Sequence, residues 1–284
     1  MLVELAIGDA YGAGYEFRNP AFVEEYNSLT RYIPHELSDV GGLYTDDTQM
    51  SIALSELILE QKELDSELIA NKFVECYKRD PRNGYSKKSR NILNASTTGS
   101  DFMSLTDKNR VSNGAMMRAT PVGLQDSVDE VLHLSELQAC VSHNTDQAIL
   151  SSHAISLCVH FFHRKNGELN ELKSFINEIT QFDWDYNWKG PVKCDAIETT
   201  NAVLSSLVNS KRSFSELLKL CVSYTGDVDT VAALSISIAS LVGDFKKDLP
   251  TFLYDQLENG PFGRDYLEKL DEKLQTRQPY ACEG

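Results

Sequence analysis

The chain has 284 residues, of which 42% are hydrophobic and 24% are charged. These proportions are ordinary for a soluble globular protein, and the length is sufficient to bury a large core. The formal net charge of -15 argues against recognition of nucleic acid through its phosphate backbone, and equally against docking on an anionic membrane surface.

The cysteines and the first residues bear on where the protein acts. Six cysteines are spread along the chain without a Cys-x-x-Cys pair, which favours reduced thiols over a disulfide framework. The first residues lack the basic region of a secretory signal, and no apolar run reaches membrane-spanning length. We therefore expect a cytoplasmic protein that binds neither membranes nor nucleic acid, and we expect a monomer.

Two glycines frame the first motif in the chain, Gly8-Asp9-Ala10-Tyr11-Gly12. They permit a close-approaching backbone, and a plain structural turn is the simplest interpretation. The spacing does not fit a dinucleotide-binding fingerprint, and at most a stub of strand precedes it. Residues 18–43 are polar and contain Asn19-Pro20 and Gly41-Gly42, so they are predicted to form a long loop.

Beyond that loop, apolar residues recur mostly at helical spacing. The segments predicted to be helices are 48–60, 65–79, 127–141, 145–164, 168–180, 193–208, 213–222, 228–242, 248–258 and 262–275. A polar loop is predicted before residue 112, period-two alternation is scarce, and there is no internal repeat or linker. We predict an all-α fold, a compact orthogonal helical bundle, with one domain over 1–275 and a flexible tail over 276–284.

The stretch 45–50 carries two adjacent carboxylates, Asp46 and Asp47, at the start of a predicted helix. Asp46 and Gln49 have the spacing of a capping box, which would explain one carboxylate through the helix N-terminus. That interpretation leaves Asp47 as a second charge to be accounted for.

A similar stretch lies downstream at 226–230, where Asp227 and Asp229 again precede an apolar helix. Four carboxylates brought together in a poorly solvated site repel by several kcal/mol unless a cation lies between them. Mg²⁺ and Mn²⁺ bind carboxylate and hydroxyl oxygens. We therefore predict that the two stretches meet to hold metal.

Two other interpretations of the downstream stretch fit less well. A calcium-binding EF-hand needs glycine and glutamate where this chain has Ala232 and Ile238. The Asp-x-Asp signature of haloacid dehalogenase-type phosphatases belongs at the end of an early strand, whereas Asp227 lies near the C-terminus and precedes a helix.

Histidines and tryptophans supply two further candidate sites. His153, His160 and His163 can share one helix face, but no acidic or cysteine partner accompanies them, so a solvated face is predicted. The loop at 183–188 contains two tryptophans and a tyrosine. These rings could stack on a purine or pin the loop to the core, and pinning is the favoured interpretation.

Taken together, five motifs resemble those of the ADP-ribosylglycohydrolase family, and they occur in the family's order over nearly the whole chain. They are Gly8-Asp9-Ala10-Tyr11-Gly12 with Glu16, the stretch 44–50, the segment 113–118, Ser142-His143-Asn144, and the stretch 226–233. The resemblance implies an all-α fold whose central cleft holds two divalent cations, Mg²⁺ or Mn²⁺.

The resemblance also implies roles for individual residues. The implied metal ligands are Thr45, Asp46, Asp47, Asp227, Asp229 and Thr230. The implied substrate contacts are His143 and a loop that cradles the diphosphate of ADP-ribose, namely Ser112, Asn113, Gly114, Ala115 and Met116. Glu16 and Asp47 are both candidates for the catalytic proton transfer, and the sequence does not choose between them.

The implied reaction is hydrolysis at the anomeric carbon of ADP-ribose, a reaction suited to carboxylates and a two-metal site. ADP-ribosylated arginine on a protein is the expected substrate. The alternatives are O-linked ADP-ribose on serine, a small-molecule conjugate, and a module that binds ADP-ribose without cleaving it. One departure is Pro191, near which relatives often place an aromatic that stacks on the substrate, and the candidates to replace that aromatic are Trp184, Tyr186 and Trp188.

Overall fold

The regular elements of the computed structural model, which describes residues 1–60 and 63–277, are helices. Its α-helices are α1 Leu2–Ala13, α2 Pro20–Tyr26, α3 Asp46–Leu59, α4 Ser66–Arg79, α5 Lys87–Ala95, α6 Gly99–Leu105, α7 Val128–Cys140, α8 Asp146–His163, α9 Leu172–Thr180, α10 Ala196–Asn209, α11 Phe214–Ser223, α12 Val228–Ala239, α13 Thr251–Asp255 and α14 Arg264–Thr276. Short 3₁₀ helices lie at Asn113–Ala115, Thr120–Leu124 and Leu169–Glu171. The predicted all-α fold is confirmed.

Side-chain caps explain where many of these helices begin. In α2, α4, α5, α6, α7, α8, α10 and α11, a serine, threonine, aspartate or asparagine before the helix accepts a backbone N–H from the first turn. Such side chains satisfy donors that the helix itself leaves unpaired. Most of the predicted helices are present, although the one predicted at 248–258 is shortened to α13.

The pair α1 and α12 packs together more extensively than any other pair of helices in the described chain. A Cβ atom on Gly8 would lie 2.5 Å from the Ala232 carbonyl oxygen, and one on Gly12 would collide with the Asp229 Cα. Both positions therefore need glycine for the two helices to come this close. The prediction of a plain turn is wrong, because these glycines lie on one face of a helix and permit a close helix–helix contact.

Two stretches predicted to be loops contain helices. The helix α2 lies within 18–43, where Asn19 caps it and Pro20 begins it. The helices α5 and α6 occupy much of the polar segment before residue 112. Each of the three buries at most two residues, so too few apolar positions recur for the sequence pattern to reveal them.

The start of α3 differs from the predicted capping box. Thr45 precedes the helix and Asp46 is its first residue, so Asp46 is not the cap. The Gln49 amide instead donates to the Cys76 carbonyl oxygen at 3.2 Å and accepts from the Tyr85 hydroxyl at 2.8 Å. The capping-box interpretation is wrong, and both carboxylates of this stretch remain available for another role.

The predictions for the histidines of α8 and for the tryptophan loop at 183–188 can be compared with the structure. His160 on α8 is buried, so the solvated face predicted for the three histidines is wrong at that position. Trp184 is 2% exposed, and its indole N–H donates to the Thr180 hydroxyl at 3.1 Å. The tryptophan therefore pins its loop to the core.

The last described helix is α14, which ends at Thr276. The predicted tail at 276–284 lies outside the described residues from 278 onward. Within the described ranges, no helix is both long and apolar enough to cross a lipid bilayer.

Candidate active site

A cleft of about 390 Å³ gathers residues from the first turns of α3 and α12 and from the segment around 112–118. Its volume is in the range of small-molecule sites. One group of lining residues, the acidic wall, consists of Glu16, Asp46, Asp47, Asp227 and Asp229. A second group, the histidine wall, consists of Arg110, Ser112, Gly114, Arg118, Ser142 and His143.

Asp9 of α1 is fully buried and caps the start of α3. Its carboxylate accepts the backbone N–H of Thr45 at 2.9 Å and that of Thr48 at 3.1 Å. It also accepts the hydroxyl of Thr45 at 2.8 Å and that of Thr48 at 2.6 Å. A carboxylate is stabilised at a helix N-terminus by these otherwise unpaired N–H groups. Because the cap comes from another helix, Asp46 and Asp47 are free to line the cleft.

Asp46 and Asp47 occupy the first turn of α3. Asp47 is 2% exposed, and its Oδ1 atom has no hydrogen-bond partner among the described residues. Burial, followed by the nearby Asp9 carboxylate, raises the pKa of both side chains well above the ordinary value. A buried carboxylate oxygen without a partner, surrounded by other carboxylates, is a group that a cation would satisfy.

A tight connection before α12 places Asp227 in the cleft. Gly226 has a φ of +87°, and a Cβ atom there would collide with the Val192 carbonyl oxygen. That same carbonyl accepts the Asp227 N–H at 2.9 Å. Glycine is therefore needed for the backbone to pass beside Val192 and deliver Asp227.

Asn113 joins the 112–118 segment to the acidic wall. Its side-chain amide donates to Asp227 Oδ2 at 2.7 Å and to the Thr230 hydroxyl at 3.4 Å. The Thr230 hydroxyl lies in turn 3.4 Å from Asp227 Oδ1. The amide restrains one oxygen of Asp227, so the orientation of this carboxylate does not depend on its own rotamer preference alone.

Two overlapping groups of carboxylates could hold cations. Asp9, Asp47 and Asp229 form one group, and Glu16, Asp227 and Asp229 form the other; in each, one oxygen of every member lies within 4.8 Å of the rest. Burial, followed by Glu16 and Asp227, raises the pKa of the shared Asp229 well above its ordinary value. This all-oxygen donor set suits a hard divalent cation.

Glu16 lies at the edge of the acidic wall, in the turn that follows α1. Its side chain is 16% exposed, and its Oε2 atom lies 3.1 Å from His35 Nε2. The N–H of Phe17 donates to the Gly226 carbonyl oxygen at 2.8 Å, which holds this turn against the connection before α12. Glu16 is thus more accessible to water than Asp47, and it has a side-chain partner.

Hydrogen bonds on the histidine wall define the tautomer of His143. Arg118 donates to the Ser142 hydroxyl at 2.9 Å, and that hydroxyl lies 2.8 Å from His143 Nδ1. Arginine can only donate, so the Ser142 hydroxyl keeps its own proton, and we interpret the 2.8 Å contact as Ser142 donating that proton to Nδ1. Nε2 then carries the ring proton and donates to the Ser112 hydroxyl at 3.0 Å. The proton of Ser112 is left to donate to a ligand in the cleft.

The charges around His143 keep its ring neutral. Burial, followed by Arg118 and Arg110, lowers the pKa of His143 to about 3. A Cβ atom on Gly114 would lie 2.6 Å from its Cε1 atom, so the glycine lies directly against the ring. The ring therefore acts as a neutral donor at physiological pH.

Two arginines give the histidine wall the opposite sign to the acidic wall. Arg118 is 1% exposed, and its Cζ atom lies 4.3 Å from the Phe73 ring centroid. Burial lowers the pKa of Arg118 to about 9. Arg110 donates to the Ser89 hydroxyl at 3.1 Å, while one of its Nη atoms has no hydrogen-bond partner among the described residues. The cleft suits a ligand that is anionic at one end and binds a cation at the other.

The family model described as ADP-ribosylglycohydrolase matches residues 1–283. The chain belongs to the ADP-ribosylglycohydrolase family. A solved structure titled "ADP-ribosylglycohydrolase-related protein complex" has the same fold, with a TM-score of 0.76 and 22% identity over 96% of this chain and 95% of that one. Membership identifies the protein as a glycohydrolase, which sets aside the non-catalytic binding module.

Two curated relatives are similar over most of their length. The protein named "ADP-ribosylarginine hydrolase Tri1" from Pseudomonas putida (strain GB-1) is 24% identical over 301 residues, which cover 99% of this chain and 78% of the relative. The "ADP-ribosyl-[dinitrogen reductase] glycohydrolase" of Rhodospirillum rubrum is 25% identical over 95% of this chain and 89% of that protein.

In this glycohydrolase the cleft collects most of the residues predicted from the sequence. Those that line it are Glu16, Asp46, Asp47, Ser112, Asn113, Gly114, His143, Asp227, Asp229 and Thr230. Thr45 instead lines a smaller neighbouring cavity, and Ala115 and Met116 are fully buried behind the cleft-lining loop. None of the aromatic residues of the 183–188 loop lines the cleft.

The residues in or beside the cleft that sequence reasoning missed include Asp9, His35, Arg110 and Cys194. Asp9 had a usable signal, since a carboxylate between two glycines on an otherwise apolar helix needs a partner. Burial and the neighbouring Asp227 raise the pKa of the Cys194 thiol. The other two lie in loops, where no periodicity indicates which way a side chain points.

Proposed function

We propose that this glycohydrolase releases ADP-ribose from ADP-ribosylated arginine side chains of proteins, with two divalent cations, Mg²⁺ or Mn²⁺, at the acidic wall. The observation that carries the proposal is the convergence of five carboxylates on a cleft whose other residues include two arginines and a neutral histidine. The name of the Pseudomonas putida relative, ADP-ribosylarginine hydrolase, supports arginine as the linkage.

The proposed cation ligands are the carboxylates of the two helix starts and the hydroxyls beside them. They are Asp46, Asp47, Asp227, Asp229, Thr230 and Thr45, whose hydroxyl donates its proton to Asp9 and keeps its lone pairs for a cation. The unpartnered Asp47 Oδ1 and the position of Asp229 in both carboxylate groups support a site for two ions. Bound there, the cations would orient the ribose hydroxyls and polarise a water molecule.

The histidine wall is proposed to bind the diphosphate of ADP-ribose. The Ser112 hydroxyl has a proton to donate, and the backbone N–H groups of the loop up to Ala115 are proposed as further donors, since the Met116 N–H already donates to the Asn113 carbonyl oxygen at 3.0 Å. Arg110 adds an Nη atom that has no hydrogen-bond partner among the described residues. Donors to phosphate oxygens are stronger when they are charged, so the arginine favours an anionic ligand over a neutral one.

The proposed reaction breaks the bond between the anomeric carbon and a guanidino nitrogen, while a water oxygen forms the new bond to that carbon. The guanidino group leaves with the electron pair of the broken bond and takes up a proton, and the water loses one. We assign the water's proton to Glu16, because it is partly exposed at the edge of the acidic wall. Asp47 is buried and its Oδ1 atom has no hydrogen-bond partner among the described residues, which suits a metal ligand better.

We also propose that residues 1–275 form one catalytic domain, since the main hydrophobic cluster includes residues from Met1 to Leu274. A cluster that spans the chain in this way is typical of one folding unit.

Peptides carrying ADP-ribose on arginine or on serine, incubated with the protein and Mg²⁺ or Mn²⁺, test the proposal. Release of ADP-ribose from the arginine peptide is expected, and release from the serine peptide alone would contradict the assigned linkage. Glu16→Gln should lose turnover while losing less metal affinity by calorimetry than Asp47→Asn, which should lose both. A Glu16→Gln variant with full turnover would overturn the assignment of the proton.

A further inference from the structure

The residue that contacts Glu16, His35, lies in the loop between α2 and α3. The backbone N–H of Leu37 donates to His35 Nδ1 at 3.0 Å. An amide N–H can only donate, so Nδ1 carries no proton and the ring proton of the neutral imidazole lies on Nε2. Nε2 therefore donates to Glu16 Oε2 at 3.1 Å. The loop itself determines which nitrogen faces the carboxylate.

Glu16 needs such a partner because its surroundings repel it. One of its oxygens lies within 4.8 Å of oxygens of Asp227 and Asp229. A glutamate side chain has three rotatable bonds, and it lies at the edge of the cleft with solvent within reach. Without a donor, like-charge repulsion would favour rotamers that turn the carboxylate away from the cleft.

The loop that carries His35 is anchored on both sides. A Cβ atom on Gly14 would collide with the Ile33 carbonyl oxygen, so the loop lies directly on the end of α1. The Tyr32 hydroxyl donates to the Leu253 carbonyl oxygen at 2.6 Å, and the Ser38 N–H donates to the His35 carbonyl oxygen at 2.9 Å. The imidazole is thus held by the protein scaffold, as an orienting group must be.

We propose that His35 is a positioning residue whose neutral Nε2–H holds Glu16 in the cleft, with Oε2 engaged and Oε1 left to accept the water's proton. This inference rests on the proposed function, in which Glu16 takes that proton. It adds to the site a residue from the loop between α2 and α3.

Two substitutions separate the two hydrogen bonds of His35. In His35→Asn, the side-chain oxygen can replace Nδ1 and accept the Leu37 N–H, but nothing reaches Glu16. In His35→Gln, the longer amide can replace Nε2 and donate to Glu16, while the contact with Leu37 is lost. His133→Asn, at an exposed histidine of α7, is the matched control.

If His35 positions Glu16, His35→Asn should lower kcat roughly 10–100-fold, the usual effect of losing an orienting partner. KM for the arginine-linked peptide and the affinity for Mn²⁺ should stay within about twofold, and His35→Gln should recover most of the lost kcat. If His35 only shapes the loop, the order reverses and His35→Asn is the milder change. That reversed order, or an unchanged kcat in His35→Asn, overturns the proposal.

A spectroscopic measurement on the metal-free protein does not depend on activity. Long-range ¹H–¹⁵N NMR spectra distinguish the two imidazole nitrogens, and the His35 signals are assigned by their loss in His35→Gln. A protonated Nε2 with an unprotonated Nδ1 at pH 7.5 is expected, and a protonated Nδ1 overturns the proposal. A protein with the expected tautomer that releases no ADP-ribose from any peptide would contradict the proposed function instead.

Discussion

The acidic wall and the histidine wall use hydrogen bonds in opposite ways. On the histidine wall, Arg118, Ser142, His143 and Ser112 form a continuous series of hydrogen bonds that ends at the Ser112 hydroxyl, whose proton is left for a ligand. On the acidic wall, Asp47 Oδ1 has no partner among the described residues, and burial, followed by nearby carboxylates, raises the pKa of Asp46, Asp47 and Asp229. The histidine wall therefore keeps unused donors for an anionic ligand, whereas the acidic wall needs a cation to offset its charge.

The largest expected effect is on the acidic wall. Replacing both Asp46 and Asp47 with alanine removes two of the proposed ligands, so turnover should fall by about 10³-fold or more and metal binding should be lost. Initial rates on the arginine-linked peptide and calorimetry with Mn²⁺ measure the two effects. Asp129→Ala, at an exposed carboxylate in the first turn of α7, is the control and should change neither. Full activity in the double variant would refute the metal assignment.

The second largest effect is expected at Asn113, which joins the 112–118 segment to the acidic wall. Asn113→Ala removes the 2.7 Å hydrogen bond to Asp227 Oδ2 while leaving all the carboxylates in place. Loss of such an orienting group usually costs about 10–100-fold in metal affinity or activity. Calorimetric titration with Mn²⁺ measures it, with the exposed Asn109→Ala as the control. Wild-type metal affinity in Asn113→Ala would show that Asp227 is held without the amide.

A smaller effect is expected on the histidine wall. Ser142→Ala removes the hydroxyl that links Arg118 to His143 by hydrogen bonds. Without this hydroxyl at Nδ1, the Nε2–H tautomer of His143 is no longer favoured. The affinity for ADP-ribose should fall about tenfold, as expected for one hydrogen bond of roughly 1.4 kcal/mol. Mn²⁺ affinity should be unchanged, which distinguishes this wall from the other. Ser104→Ala, on the exposed side of α6, serves as the control. A loss of Mn²⁺ affinity in Ser142→Ala would contradict the separation of the two walls.

The smallest effect concerns pH. Folding raises the pKa values of Asp46, Asp47 and Asp229. At a pH between the ordinary and the raised values, these carboxyls are therefore protonated in the metal-free folded protein and ionised in the unfolded chain. This contribution to stability is present below the ordinary carboxylate pKa and is lost as pH rises through the raised values. Cations compete with those protons, so Mg²⁺ should stabilise the protein more at pH 8 than at pH 5.5, by about 1 kcal/mol.

Calorimetric unfolding with and without EDTA measures this difference, and NaCl at matched ionic strength controls for screening. A gain in melting temperature that does not change with pH would contradict the prediction. Asp47→Asn should raise the stability of the metal-free protein, because it removes one charge from the repelling group.

Sequence reasoning was strongest where the determining contacts are local. The starts of α3 and α12 carry their carboxylates within one helical turn, so composition and order were enough to single out Asp46, Asp47, Asp227 and Asp229. It failed where a hydrogen-bond partner comes from a distant part of the chain. Asp9 and the Thr45 it binds are 36 positions apart, and no local pattern distinguishes a cap supplied by another helix from one within the same stretch.

The sequence by itself determined most of the longer helices, including α3 and α12 with the carboxylates at their starts, because apolar spacing acts within a few residues. Only the tertiary structure decided what each carboxylate does. Close packing of α1 on α12 at Gly8 and Gly12 brings Asp9 to the start of α3, which frees Asp46 and Asp47 for the cleft. Hydrogen bonds between distant residues depend on how helices pack, and that packing is a property of the whole chain.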